Sequence, residues 1–258
     1  MELSTVRLLA DLNRRFYEAH AENFADARPR PQPGVRRIID RIEPGARVLE
    51  VGCGDGKVAR ALPSVQYTGL DQSAALLERA ARYMRKGHET GDADDRRPLP
   101  ATDDERLKPS VVFVQADLLS PTLPTRLPAT HFDWVLAFAV FHHLPSQAVR
   151  QEVLQQLVQR LAPGGQFVMS NWQFHTSARL LGRQAPWSTL DLTPEDVEPG
   201  DALLAWERKG RRGLRYVHAL DTAEAHRLAE AAGLEVTEVF HADGVTQALA
   251  EYVVARRG

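Results

Sequence analysis

Short apolar runs alternate with helix-spaced segments along most of the chain, and that alternation predicts the architecture. Arg47-Val48-Leu49-Glu50-Val51 stops at a glycine cluster, the pattern of a buried parallel strand feeding a turn. Helical sequence follows to Leu62. Residues 65–70 then read as a strand ending at Asp71, and residues 73–84 as a helix with Ser73 at its N-cap. Residues 111–114 predict a third strand leading to Asp117, and residues 132–140 a fourth that ends in Phe141-His142-His143. Residues 147–161 have helical spacing, Pro163-Gly164-Gly165 stops them, and residues 166–170 predict a fifth strand. Residues 223–232 read as a helix with Gly233 at C′, followed by strands at 234–240 and 247–254 around Asp243-Gly244. Strands alternating with helices imply an α/β fold, a doubly wound, mostly parallel seven-stranded sheet with an antiparallel C-terminal hairpin. Ligands of such sheets bind at the carboxyl ends of the strands.

That rule sorts the irregular segments. Residues 1–45 form an N-terminal helical segment, helical in pattern over 6–24 and ended by Arg28-Pro29-Arg30-Pro31-Gln32-Pro33, and are expected to cap the ligand mouth. Residues 46–258 form the main domain. Within it, residues 85–110 are charged and poor in apolar positions, and are expected to be a mobile insertion on the face away from the ligand. Residues 171–218 leave the fifth strand on the ligand side and carry Trp172, Trp187 and Trp206, so they are expected to meet the substrate.

Composition narrows the class. With 258 residues, 43% hydrophobic and 26% charged, the chain can bury a sizeable core, which excludes wholesale disorder. No apolar run is long enough to predict a membrane span, and the start lacks a basic-then-apolar secretory pattern, so a cytoplasmic location is expected. The single cysteine, Cys53, excludes an internal disulfide and a cysteine metal cluster, and no metal is expected. Thirty-two basic against 34 acidic residues give no global electrostatic case for nucleic acid, so such a partner must be argued regionally.

The candidate chemistry gathers at strand ends. Glu50-Val51-Gly52-Cys53-Gly54-Asp55-Gly56 lies between a strand and a helix, where glycines allow positive φ and close approach of backbone to a ligand. A dinucleotide fingerprint would place the third glycine one residue later, and the acidic flanks repel phosphate. They suit a cationic ligand instead, which points to the sulfonium and amino group of S-adenosylmethionine. Asp71 can accept from two ribose hydroxyls, and Asp117 is placed for an adenine amino group.

These residues resemble the class I S-adenosylmethionine-dependent methyltransferases, with their Rossmann-like fold. The match rests on residues 48–56, 69–73, 115–118, 132–136 and 161–165. The resemblance implies that Glu50, Gly52, Gly54 and Gly56 line the amino-acid end of the cofactor, that Asp71 holds its ribose and Asp117 its adenine, and that Cys53, Gln72, Ala116 and Leu118 also border it. Phe138 and Ala139 would close the pocket. S-adenosylhomocysteine is then the second product.

A narrower likeness follows. Ala139-Val140-Phe141-His142-His143-Leu144 looks like the double-histidine segment of methyltransferases that esterify 5-carboxymethyluridine at the tRNA wobble position. Phe16-Tyr17 with Arg28, the phrase from Gly200 to Trp206, and Arg215-Tyr216-Val217-His218 are similar to the same enzymes, although Leu204-Ala205-Trp206 stands where they have Val-Pro-Trp. The resemblance implies tRNA as partner and a carboxylate as acceptor.

The residues themselves leave three readings open. Arg208, Lys209, Arg211, Arg212 and Arg215 form one basic cluster and Arg28, Arg30, Arg36 and Arg37 another, which suits phosphate, while Trp172 or Trp206 can stack an unpaired base and His218 lies on the same segment. A small acidic metabolite would use the same arginines, which gives a small-molecule O- or N-methyltransferase. A noncatalytic cofactor-binding subunit would keep the fold alone. A carboxylate acceptor needs only an orienting group, for which Arg28, Tyr17 and Tyr216 are candidates. A hydroxyl or ring nitrogen needs a base, for which His142 and His143 are candidates.

Overall fold

The computed structural model describes residues 1–27, 30–89, 110–120, 122–127, 131–208 and 210–258. Seven strands form the main sheet: β1 (Arg47–Val51), β2 (Gln66–Asp71), β3 (Ser110–Gln115), β4 (Phe132–Phe138), β5 (Leu161–Trp172), β9 (Leu234–Ala242) and β10 (Ala250–Arg257). Their order is β3-β2-β1-β4-β5-β10-β9, parallel except for β10, which runs antiparallel between β5 and β9.

Helices cover both faces, which is why the strands read as nearly continuous apolar runs. On one face Leu49, Val51, Phe167 and Met169 share a core with Leu154 and Leu157 of α6 (Gln147–Val158) and Leu228 of α8 (Thr222–Ala231). On the other, Val48, Tyr67, Leu136 and Val168 pack with Ile38 and Ile39 of α2 (Pro33–Ile39), Val58 of α3 (Lys57–Ala61) and Leu77 of α4 (Ala74–Glu89). Each such fully buried aliphatic contributes roughly 1.5–3 kcal/mol of transfer free energy. The strand order reverses between β1 and β4, and a crevice opens there at the carboxyl ends.

The predicted elements are present with shifted ends. α4 runs to Glu89 and β3 starts at Ser110; the rest of the expected 85–110 insertion lies outside the described residues. The fourth strand stops at Phe138, and Phe141–His143 forms a single 3₁₀ turn. β5 begins at Leu161, five residues before the expected start, because Phe132 pairs with Leu161 and Trp134 with Gln166, so that Ala162 to Gly165 are carried as a bulge with Gly164 at φ +74°. β10 starts later than expected because Gln247 N–H donates to the Gly244 carbonyl, which keeps that stretch in the turn.

Residues 171–218 hold a second sheet that periodicity did not reveal. After α7 (Ala178–Leu181), β6 (Gln184–Ala185), β7 (Asp201–Arg208) and β8 (Arg211–His218) pair antiparallel. The arginine-rich hairpin end dilutes the apolar alternation, and the sheet is held by partners distant in sequence. α1 (Leu3–Ala27) lies on β8, where Leu9, Leu203 and Tyr216 form a small core. Asn13 accepts the Tyr216 N–H at 2.9 Å and donates to the Tyr216 carbonyl at 3.0 Å. Among the described residues, no helix is long and apolar enough to cross a membrane.

Candidate active site

A cavity of about 710 Å³ occupies the crevice, with the glycine loop and the ends of β1 and β2 at one end and α1, α7, β7 and β8 at the other. Gly52, Gly54 and Gly56 have φ of +67°, +55° and +71°, a run of left-handed turns that only glycine adopts cheaply. They serve different purposes. Gly52 cannot carry a side chain because a Cβ would lie 2.5 Å from Val140 Cγ2, whereas space is open beside Gly54. Gly56 does not line the cavity; its missing Cβ lets α3 approach Ala80 and Phe113. Sequence spacing grouped it with the other two.

Asp71 closes the loop from β2. One carboxylate oxygen accepts the Gly54 N–H at 2.8 Å and the other the Ser73 N–H at 2.9 Å, while the group still borders the cavity. Burial raises its pKa, opposed by those amides. Glu50 points to the opposite sheet face from Leu49 and accepts from the Tyr67 hydroxyl. Gly69 pairs with Glu50 across the ladder, and its missing side chain leaves room for the Tyr67 ring and Cys53. Burial pushes the Glu50 carboxyl up to about 8, so a cationic ligand that favours its charged form would be bound with a proton released. Burial also raises the Cys53 thiol, which is therefore neutral filling. Gln72, Ala116, Asp117, Leu118, Phe138 and Ala139 border the same end, and Ala139 holds φ +57° with its N–H on Ser170. Asp117 is exposed and caps the Leu119 N–H at 2.9 Å.

At the other end the two histidines have fixed tautomers. His142 is buried, and its Nδ1 accepts the Trp172 N–H at 3.2 Å, so the neutral ring carries its proton on Nε2. The His143 Nδ1 lies 3.1 Å from the Tyr216 carbonyl and must donate to it, which leaves Nε2 to accept from the Tyr17 hydroxyl at 2.7 Å. Burial, with Arg215 nearby, lowers His143 to about 3 and drives His142 well below the usual imidazole range. Both rings stay neutral near pH 7, with the basic lone pair already engaged. The Arg215 guanidinium lies 4.5 Å above the Trp172 ring, and Trp206 stands edge-on to Phe16 at 5.7 Å; Tyr17, Trp172, Trp206 and Arg215 all border the cavity.

Besides Gly56, two expected site residues lie elsewhere among the described residues. The Tyr216 ring is fully buried under α1 and its hydroxyl donates to Asp201 at 2.7 Å, so it offers the site only its carbonyl. His218 sits between Asp201 at 2.7 Å and Glu224 at 2.8 Å; burial lowers its pKa, and the two carboxylates more than offset this, leaving it raised. It anchors the small sheet and does not border the cavity. Both belong to the phrase Arg215-Tyr216-Val217-His218 that carries the resemblance, but alternation along β8 turns residue 216 away from residue 215. Arg28 and Lys209 lie outside the described residues. Arg36 pairs with Asp40, Arg37 with Glu238, and Arg212 with Glu207, none of these arginines bordering the cavity; Arg30 and Arg208 do.

Sequence reading missed Arg14, Arg179, Arg183, Ser170, Asp243 and Tyr252 in the lining. Asp243 accepts the Gly34 N–H at 2.9 Å and the Tyr252 hydroxyl at 2.6 Å, so it joins α2 to the end of β9. The sequence marks Asp243 only as a turn residue. The spacing of Arg179 and Arg183 was the one signal for the pair.

A seven-stranded Rossmann-like sheet with an antiparallel last pair, and a cavity at its switch point, defines the methyltransferase class of α/β folds. A methyltransferase domain family matches residues 22–239, and the chain belongs to it. S-adenosylmethionine is the methyl donor of the class. A tRNA carboxymethyluridine methyltransferase of Schizosaccharomyces pombe is 23% identical over 238 residues, covering 86% of this chain and 88% of that one. Its Saccharomyces cerevisiae counterpart is 27% identical over 158 residues, covering 61% of this chain and 47% of that one. The match spans as little as 22% of other curated relatives. A solved S-adenosylmethionine-dependent methyltransferase from Clostridium acetobutylicum shares the fold at TM-score 0.62 and 10% identity, over 95% of this chain and 98% of that one.

Proposed function

We propose that the chain transfers the methyl group of S-adenosylmethionine to a carboxylate on a modified wobble uridine of tRNA. In this reading Glu50 faces the cofactor ammonium, the backbone of Gly52 and Gly54 its amino-acid part, Asp71 its ribose, and Ala116, Asp117 and Leu118 its adenine. Phe138 and Ala139 close over it, and α1 caps the mouth. The yeast relatives are named for methylation of carboxymethyluridine in tRNA, and the observation that supports the carboxylate is the state of the two histidines. Each has its lone pair occupied and its proton affinity lowered, so the cavity suits a nucleophile that arrives already ionised. The carboxylate oxygen attacks the methyl carbon in line, the carbon–sulfur bond breaks, and neutral S-adenosylhomocysteine leaves; no proton moves. Tyr17, fixed by His143, and Arg215, fixed over Trp172, orient the acceptor. Positioning of this kind is the main demand of the step. The reaction is assigned to the cytoplasm.

Incubation with methyl-labelled S-adenosylmethionine, bulk tRNA and a small-metabolite fraction tests the reading. Alkali-labile label in tRNA is expected. Label confined to small metabolites would make this a small-molecule methyltransferase, and cofactor binding without transfer to either would make it a regulatory subunit.

The pH dependence separates this chemistry from base catalysis. At saturating cofactor, kcat is expected to be flat between about pH 6 and 8, because an imidazole held near 3 does not titrate there. A histidine base would give activity that rises with pH through a midpoint of about 6.5.

A further inference from the structure

Arginines at the cavity rim divide by what they already hold. Arg14 is paired with Asp11 at 2.8 Å and Glu18 at 3.5 Å, and Arg215 lies over Trp172. Arg179, in α7, and Arg183, two residues past its end, border the same cavity, are exposed, and form no ion pair among the described residues. The backbone beneath them is fixed. Leu180 is buried with Phe174, Leu204 and Val217, the Gly182 N–H donates to the Ala178 carbonyl at 3.0 Å, and the Arg183 carbonyl accepts the Ala205 N–H of β7 at 2.9 Å. Of the carboxylates in the lining on this side, Asp11 is held by Arg14 and Glu207 by Arg212. Two arginines four residues apart on a hydrogen-bonded turn, with no anionic partner among the described residues, suit the fork geometry that arginine offers to phosphate oxygens.

We propose that Arg179 and Arg183 form a phosphodiester-binding site at the cavity rim that holds the nucleic-acid backbone flanking the reacting base. This rests on the tRNA reading above and adds to it a place where the strand is gripped outside the reaction pocket. The reacting nucleotide enters past Trp206 and Trp172 while the neighbouring phosphates stay on α7.

The probe is a fluorescein-labelled anticodon stem-loop RNA bearing 5-carboxymethyluridine, titrated by anisotropy over a range of KCl. The double variant R179Q/R183Q is expected to bind on the order of tenfold more weakly at 0.1 M salt, with the slope of log K against log salt reduced by about 1.5, since each lost phosphate contact removes roughly 0.7–0.9. KM for the RNA should rise with kcat within about twofold, while R179K/R183K should keep the slope. Methylation of the isolated 5-carboxymethyluridine nucleoside, which has no flanking phosphate, should be unchanged in both variants. Wild-type binding and slope in R179Q/R183Q would overturn the site and leave the tRNA reading intact, as would an equal fall in nucleoside methylation, which would put the pair inside the reaction pocket. Absence of both salt-dependent RNA binding and RNA methylation in the wild-type protein would overturn the acceptor reading, and this site with it.

Discussion

Asp71→Ala is expected to weaken S-adenosylmethionine binding by on the order of 10- to 100-fold, about 1–3 kcal/mol, measured by titration calorimetry. The effect has two sources. In the proposed reading the carboxylate accepts from the ribose at the end of β2, and its two oxygens also receive the Gly54 and Ser73 amides that hold the glycine loop and the start of α4 in place. Removing it therefore strips a ligand contact and leaves two backbone donors to find water. Asp71→Asn keeps one acceptor oxygen and is expected to fall between the two. An unchanged affinity in Asp71→Ala would remove this residue from the cofactor site and with it the placement of the ribose.

Arg150→Ala is expected to cost about 3 kcal/mol of stability, read as a lowered urea midpoint, because it would leave two partly buried carboxylates without their counter-charge. Arg150 is 1% exposed. It donates to Glu224 at 3.0 Å, to Glu198 at 2.9 Å and to the Leu144 carbonyl at 3.0 Å. Glu198 also receives the Gln147 N–H that opens α6, and Glu224 continues through His218 to Asp201 and the Tyr216 hydroxyl. One chain of charges thus joins the helices under the main sheet to the small sheet over the cavity. Its loss should free β7 and β8 and raise KM for the acceptor before cofactor affinity changes. A cost below about 1 kcal/mol, the range of exposed pairs, would show that water already carries these charges.

The two predictions differ in how visible they were beforehand. Asp71 stands at the end of an apolar run beside a glycine cluster, so both its element and its direction follow from local pattern. Arg150 sits inside a helical segment of low amphipathicity and looks like any solvated basic residue. Its partners are 48 and 74 residues away, and no local window contains them. The same distinction separates Glu50 from Tyr216. Glu50 is legible because it precedes the loop directly, whereas Tyr216 is a site candidate through the phrase Arg215-Tyr216-Val217-His218 and is turned into the core by the pleat of β8.

What the sequence determined by itself is the parallel sheet, the glycine loop and the acids at successive strand ends. Those depend on short-range facts: side-chain period, positive φ at glycine, and the stop at each strand end. The tertiary structure alone decided that residues 171–218 make a second sheet under α1, which lone pairs of His142 and His143 are occupied, and which arginines reach the rim. Those depend on contacts between segments up to 203 residues apart, such as Asn13 on the Tyr216 backbone. A pattern along the chain records what a residue prefers to be buried beside, and only closure of the fold supplies the partner that sets its charge.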